Sequence, residues 1–307
     1  MGMRNQPEQA EQLAIRLAPS PGARVRRALA ASVLIMRGNP NVIIGVVILA
    51  TILLMTAFSP IIVRSDYTQT TTDLRLPPSS EHWFGTDAFG RDVFDRVVAG
   101  SRVSLYVGFA VTVVSVVLGL VIALFAGYFR FLDHILMRIV DGLLAFPTIL
   151  LALALIALLG GSVNNVIIAL SVTGTASKVR LVRGQVLSLR EEQFVEAARA
   201  IGAPVWRILF LHIAPNTFGI VMVQATFTLA TAILAEASLS FLGAGVPEFI
   251  PTWGNIVATG KGYVQVAFWI SFFPGVFLTA TVLAVVLIGD ALRDYLDPRL
   301  KGQFLSE

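Results

Sequence analysis

Cysteine is absent from this 307-residue chain, and charged residues make up only 14% of it. Without cysteine there is no disulfide framework and no thiolate chemistry. A soluble domain carries about 25% charged residues, and this chain has too few charges to cover a water-facing surface. Apolar residues make up 56% of the chain and the mean hydropathy is +0.78. Much of the surface must therefore face lipid.

Motifs for catalysis and for metal or nucleotide binding are also missing. The three histidines, His82, His134 and His212, lack ligand spacing, and no nucleophile, base and acid converge. The nearest approach to a phosphate loop is Gly254–Gly262, with five residues between its first two glycines and Gly after Lys261. A phosphate loop needs four residues there and Ser or Thr after Lys. We expect a non-catalytic chain that binds no cofactor.

Long uncharged runs predict membrane-spanning helices, since a bilayer core needs about 20 apolar residues of helix. The turn signal at 160–165 divides one long run into a hairpin of spans three and four, with Lys178 reaching the interface from span four. The first uncharged run begins too far from the N-terminus to be a cleavable signal peptide. We predict an all-α integral membrane protein with six spans, located in the runs Val42–Val63, Val103–Phe129, Gly142–Ser177, Ile213–Ala235 and Gly262–Gly289.

The distribution of Lys and Arg predicts the topology, because cytoplasmic loops carry the excess. With the N-terminus inside, 17 of the 23 basic residues lie in the inside segments. The segment 63–103 is outside and carries five Arg with six acidic residues, so the basic excess requires no nucleic acid. We expect a cytoplasmic tail at 1–41, a transmembrane domain at 42–289 and a second cytoplasmic tail at 290–307.

Span two carries a small residue at every fourth position: Ser115, Gly119, Ala123 and Gly127. Small residues at this spacing let another helix approach closely. Two interpretations remain open, packing within this chain and a seam between subunits.

The longest inside loop, 190–215, predicts a helix, a tight turn and a second helix. Phe194, Val195, Ala197, Ala198 and Ile201 lie at helical spacing on one face. Gly202 follows, where a helix end favours a left-handed residue, and Pro204 suits the start of the next helix. Lipid headgroups or a partner protein must cover the apolar faces.

This loop resembles the "EAA" loop of ABC-importer permeases, through Glu196, Ala197, Ala198, Gly202, Ile213 and Pro215. The flanking sequences are similar to the dipeptide/oligopeptide/nickel subfamily and keep its order over roughly residues 40–302. They read FGTD at 84–87, GRDV at 90–93, SRVSL at 101–105, AFP at 145–147, LSFLG at 239–243, WGN at 253–255 and GDALR at 289–293.

The resemblance implies a type I ABC importer transmembrane domain in the bacterial inner membrane, with both termini cytoplasmic. It implies a coupling helix that docks on a separate ATPase, which uses ATP and Mg²⁺. The expected partners are a second homologous permease, two cytoplasmic ATPase domains, an extracytoplasmic solute-binding protein and membrane lipid, with no nucleic acid. Peptides are the leading substrate class, ahead of nickel, sugars and opines.

Polar residues of span five are candidates for the lining of the transport pathway: Gln224, Thr228, Thr231 and Ser238 share one face. Glu236 lies about 120° round from Gln224 at 100° per residue. An ionisable group inside a bilayer is a functional candidate, and for Glu236 we weigh a gate or packing role equally against substrate contact. The outer loop Gly243–Gln265 is too apolar for a free linker, so we expect it to fold as a short helix. By resemblance, it would contribute to an outer gate and to the docking surface for a solute-binding protein.

An ion-coupled secondary transporter is the alternative function. It would require paired discontinuous helices in two repeats and an ion site at the midplane. The sequence shows no such pairs, and the cytoplasmic helix-turn-helix would have no purpose there. A membrane-embedded enzyme is a third possibility, which the missing catalytic set disfavours.

Overall fold

A computed structural model describes residues 40–64 and 66–296, so most of both predicted tails lies outside the described residues. The chain divides by its internal contacts into Met1–Ile43 and Ile44–Glu307. The regular structure of the described residues is helical. The helices are α1 Pro40–Ala57, α2 Ser59–Ile62, α3 Val93–Tyr128, α4 Arg130–Leu144, α5 Thr148–Leu159, α6 Val163–Arg190, α7 Gln193–Ala200, α8 Val205–Arg207, α9 Ala214–Phe241, α10 Trp253–Gly260 and α11 Trp269–Leu296.

The predicted spans correspond to long apolar helices. Within the described residues, five are long and apolar enough to cross a membrane, namely α1, α3, α6, α9 with the turns before it, and α11. The bent pair of α4 and α5 brings the number to six if it forms one span. The hairpin at 160–165 is confirmed, since α5 ends at Leu159 and α6 begins at Val163.

The third span is broken near the start of the run Gly142–Ser177, which the sequence did not predict. Helix α4 ends at Leu144, and α5 leaves it at 93° after a break at Ala145–Pro147. Pro147 explains the break, because it lacks an N–H and pushes the preceding residue out of the helical region. A second break, at Phe58, separates α1 from α2, which has Pro60 in its first turn.

The small residues of span two pack against α6 within this chain. A Cβ added to Gly119 would lie 2.7 Å from Cβ of Lys178, and one added to Gly127 would lie 2.6 Å from a methyl of Val186. The packing interpretation is therefore confirmed for this stripe. Lys178 differs from expectation: it is 7% exposed against α3 instead of extending to the interface.

The segment between α2 and α3 pairs its own charges. Asp87 is fully buried and accepts a 2.7 Å hydrogen bond from Nε of Arg91, while Arg96 lies 3.8 Å from the same carboxylate. His82 pairs with Asp92 at 2.8 Å. Two of the five arginines in this segment, Arg91 and Arg96, are thus buried beside a carboxylate.

Candidate coupling loop and pathway residues

The loop 190–215 folds as a short helix, a tight turn and a second helical segment. After α7, the N–H of Gly202 donates to the carbonyl of Arg199 and the N–H of Ala203 to that of Ala198, at 2.9 and 3.0 Å. Gly202 has φ of +77°, so the predicted left-handed turn is present. No atom lies within 4 Å of an added Cβ there, so glycine serves the backbone conformation and not close packing.

Helix α7 has two apolar stripes, where the sequence analysis placed all its apolar residues on one face. Val195 and Ala198 are buried against Ile208, Leu209 and Ile213. Phe194, Ala197 and Ile201 point away from this core and are exposed, Ile201 by 84%. Spacings of three and seven residues place these three on one side of a helix. The single-face prediction was wrong because both stripes are apolar and only tertiary packing separates them.

The segment Ile208–Ile213 is a π-helical turn between α8 and α9, which sequence reasoning missed. The N–H of Ala214 donates to the carbonyl of Leu209, five residues earlier. Ile213 is fully buried, while Pro215 is exposed in the first turn of α9, where no intrahelical donor is needed. π-Turns are rare and occur often at functional sites.

Two arginines attach the loop to the junction between α3 and α4. Arg190, at the end of α6, donates a 3.1 Å hydrogen bond to the carbonyl of Gly127. The guanidinium of Arg199 lies 5.2 Å from the ring centre of Tyr128. Glu196 is exposed on α7, and among the described residues its carboxylate has no hydrogen bond or salt bridge. The loop is thus fastened on the side of Val195 and Ala198 and open on the side of Glu196 and Ala197.

The pathway candidates of α9 fall into different environments in this chain. Thr231 is exposed, Gln224 and Ser238 are half-buried, and Thr228 is buried. The hydroxyls bond to carbonyls of their own helix, Thr228 to Gln224 at 2.6 Å and Ser238 to Leu234 at 2.8 Å. Because these hydroxyls bond within α9, the methyl or methylene group of each side chain faces the neighbours of α9.

Glu236 has no exposed surface and joins three helices. Ser240 of α9 donates to its carboxylate at 2.8 Å, and Ser104 of α3 approaches it at 3.5 Å. The N–H of Trp253, the first residue of α10, donates to the same Ser104 hydroxyl at 3.1 Å. Within the described residues Glu236 therefore contacts protein on all sides. The sequence marked Ser104 only as part of the motif at 101–105 and did not predict its contact with Glu236, 132 residues away.

The loop Gly243–Gln265 forms the short helix expected from its apolar composition. Thr252 and Asn255 make a capping box at the start of α10, and Lys261 lies in the turn that follows, 5.1 Å over the ring of Phe241. A cleft of about 720 Å³ opens between this loop and the end of α5. The lining includes Leu153, Ile156, Val246, Glu248, Asn255 and Thr259.

Comparison with known proteins identifies the family. Residues 115–302 match the binding-protein-dependent transport system inner membrane components, and the chain belongs to this family. It is 44% identical over 269 residues to the dipeptide transport system permease protein DppC of Alkalihalophilus pseudofirmus, covering 87% of this chain and 88% of that protein. It is 39% identical over 267 residues to the oligopeptide transport system permease protein OppC of Bacillus subtilis, covering 86% and 88%.

A third relative is the glutathione transport system permease protein GsiD of Pectobacterium atrosepticum, 41% identical over 226 residues, covering 73% of this chain and 75% of that protein. Membership of the family makes the chain a multi-pass inner-membrane permease with the type I ABC importer transmembrane fold. Such a permease works with an ATPase and a substrate-binding protein. The ion-coupled alternative finds no support in these matches.

Proposed function

We propose that this chain forms part of the pore of an ATP-driven peptide importer and passes ATPase movements to α9 through the loop 190–215. The exposed apolar stripe of α7 carries this proposal. No other part of the described chain covers Phe194, Ala197 and Ile201, and Trp206 nearby is 62% exposed. An exposed apolar patch on a folded element is the usual mark of a docking surface. Glu196 lies beside it and is free to pair with a basic group of the ATPase.

The structure suggests how movement would be transmitted. Val195 and Ala198 pack on Ile208, Leu209 and Ile213, so a push on α7 reaches the π-turn directly. The π-turn leads into α9, which carries the candidate pathway residues Gln224, Thr231 and Ser238. Glu236 and Thr228 would hold this helix in place from its buried side.

We further propose the partners, the topology and the substrate class of this chain. A second homologous permease completes the pore, and two ATPase domains use ATP and Mg²⁺ while this chain binds neither. Both termini and the loop 190–215 face the cytoplasm, following the division of basic residues. The relatives' names, which specify dipeptides, oligopeptides and glutathione, support a peptide as the transported solute.

The experiment replaces one exposed residue of the loop and follows assembly. We expect Ile201→Lys to remove the ATPase from the purified assembly, or to weaken it strongly, and to lower ATP-dependent uptake of a labelled dipeptide into vesicles. Val266→Lys is the matched control for ATPase retention, because Val266 is 68% exposed just after the loop Gly243–Gln265 and far along the chain from the loop 190–215. Normal ATPase retention and uptake in the Ile201 variant would defeat the proposed docking surface.

A further inference from the structure

We propose that α4 is an interfacial helix whose Arg130 and Arg138 bind anionic phospholipid headgroups at the membrane edge nearest the coupling loop. This inference goes beyond the proposed function and does not depend on the transported solute. It concerns the face of α4 that carries Phe131, Ile135 and Ile139 beside these two arginines. The position, the direction and the exposed face of α4 support it in turn.

The position of α4 follows from its partner on α6. Helix α6 begins at Val163, just after the outer hairpin, and a rise of 1.5 Å per residue places Arg183 about 30 Å along its axis. That length is about the thickness of the hydrocarbon core of a bilayer. Arg183 donates two hydrogen bonds to Asp133 of α4, at 2.5 and 2.6 Å. Helix α4 is therefore held at the far edge of the bilayer.

The direction of α4 follows from its two ion pairs with α6. Asp133 and Asp141 are separated by about 12 Å of helix, at 1.5 Å per residue. Their partners Arg183 and Arg180 are separated by only about 4.5 Å along α6. These unequal spacings agree with a helix that crosses α6 at an angle. The 93° bend between α4 and α5 agrees with a course near the membrane plane.

The outward face of α4 combines apolar and basic side chains. Phe131, Ile135 and Ile139 are exposed at intervals of four residues, Phe131 by 76%. Arg130 and Arg138 are both exposed. At 100° per residue, Arg138 lies about 20° and Arg130 about 100° round from Phe131, both on the side away from Ile139. Within the described ranges neither guanidinium has a salt bridge, whereas Arg180 and Arg183 are both paired. This face therefore presents two unneutralised charges next to an apolar strip.

An anionic lipid fits this face best. A helix that lies in the interface places its apolar strip at the boundary of the acyl chains and its basic residues among the headgroups. The cytoplasmic leaflet is negatively charged, and this charge strengthens the binding of each basic residue near its surface. The lipid supplies both the apolar cover and the negative charge, and it is present along the whole edge of the bilayer.

The first experiment measures the depth of α4. The chain has no cysteine, so a single fluorophore can be attached to Phe131→Cys or to Ile139→Cys. The assembled importer is reconstituted in vesicles of phosphatidylcholine and phosphatidylglycerol that contain spin-labelled lipids. We expect equal quenching at both positions, strongest with the spin label near the headgroup. Unequal depths, or no quenching because protein covers the face, would overturn the interfacial position.

The second experiment measures the preference for anionic lipid. Quenching by spin-labelled phosphatidylglycerol is compared with quenching by spin-labelled phosphatidylcholine in the Phe131→Cys protein. We expect each of Arg130→Gln and Arg138→Gln to lower the preference by about fivefold. Arg102→Gln is the control, since Arg102 is exposed near the opposite edge. An unchanged preference in the double variant, in an importer that still assembles, would refute headgroup binding by these arginines.

Discussion

Arg183 and Asp133 form a two-pronged ion pair, with Nε and Nη2 donating to the two carboxylate oxygens at 2.5 and 2.6 Å. The residues are 50 positions apart and their side chains are 25% and 18% exposed. Planar, two-pronged pairing fixes the geometry as well as the distance. The pair therefore fixes α4 to α6, about two turns before α6 ends at Arg190.

We expect Asp133→Asn to destabilise the α4–α6 contact by about 1–3 kcal/mol, because Arg183 loses its charged partner. The measurement is the midpoint of thermal unfolding of the purified assembly. The reversed pair Asp133→Arg with Arg183→Asp should recover part of the loss. Asp141→Asn is the matched control, since its pair with Arg180 is exposed and contributes about 0–1 kcal/mol. Equal effects of the two single variants would contradict this ranking.

Glu236→Gln and Glu236→Ala should separate packing from substrate contact. The amide keeps the size and the hydrogen-bonding capacity toward Ser240 and Ser104, so we expect nearly normal stability and uptake. Alanine leaves a cavity and unsatisfied hydroxyls, at a cost of about 2–5 kcal/mol. Thermal unfolding and the KM for uptake are measured together. A raised KM with unchanged stability in either variant would instead point to contact with the solute.

Gly202→Asp and Gly202→Asn should differ in coupling. Both side chains tolerate a left-handed backbone better than other residues do, and the space around Gly202 is open. The comparison therefore isolates the added negative charge on the surface proposed to meet the ATPase. We expect the Asp variant to lose ATPase retention and uptake and the Asn variant to keep most of both. The same behaviour in both variants would place the cause in the backbone.

The proposed topology can be tested with single cysteines, since labelling of each one is unique. Ser79 is exposed in the outer segment and Ile201 in the coupling loop. In right-side-out vesicles we expect an impermeant maleimide to label Ser79→Cys and to spare Ile201→Cys until the membrane is opened. Labelling in the reverse pattern would invert the assignment of every loop.

Much of this fold could be predicted from the sequence by itself. Hydropathy located the spans because a bilayer core sets their length, and the stripe ending at Gly127 predicted close helix packing. The turn at Gly202 was predictable because glycine is the residue least hindered at positive φ. These features are local: each depends on residues within one helix or one turn.

The tertiary structure alone decided the features that depend on residues distant in sequence. It separated the stripes of α7, because burial of Val195 and exposure of Ile201 depend on where Ile208 and Leu209 pack. It enclosed Glu236 by bringing Ser104 and Trp253 together. It also bent α4 by 93° relative to α5 and paired Asp133 with Arg183. Hydropathy predicts neither feature, because it is averaged along the chain and carries no information on contacts between distant residues.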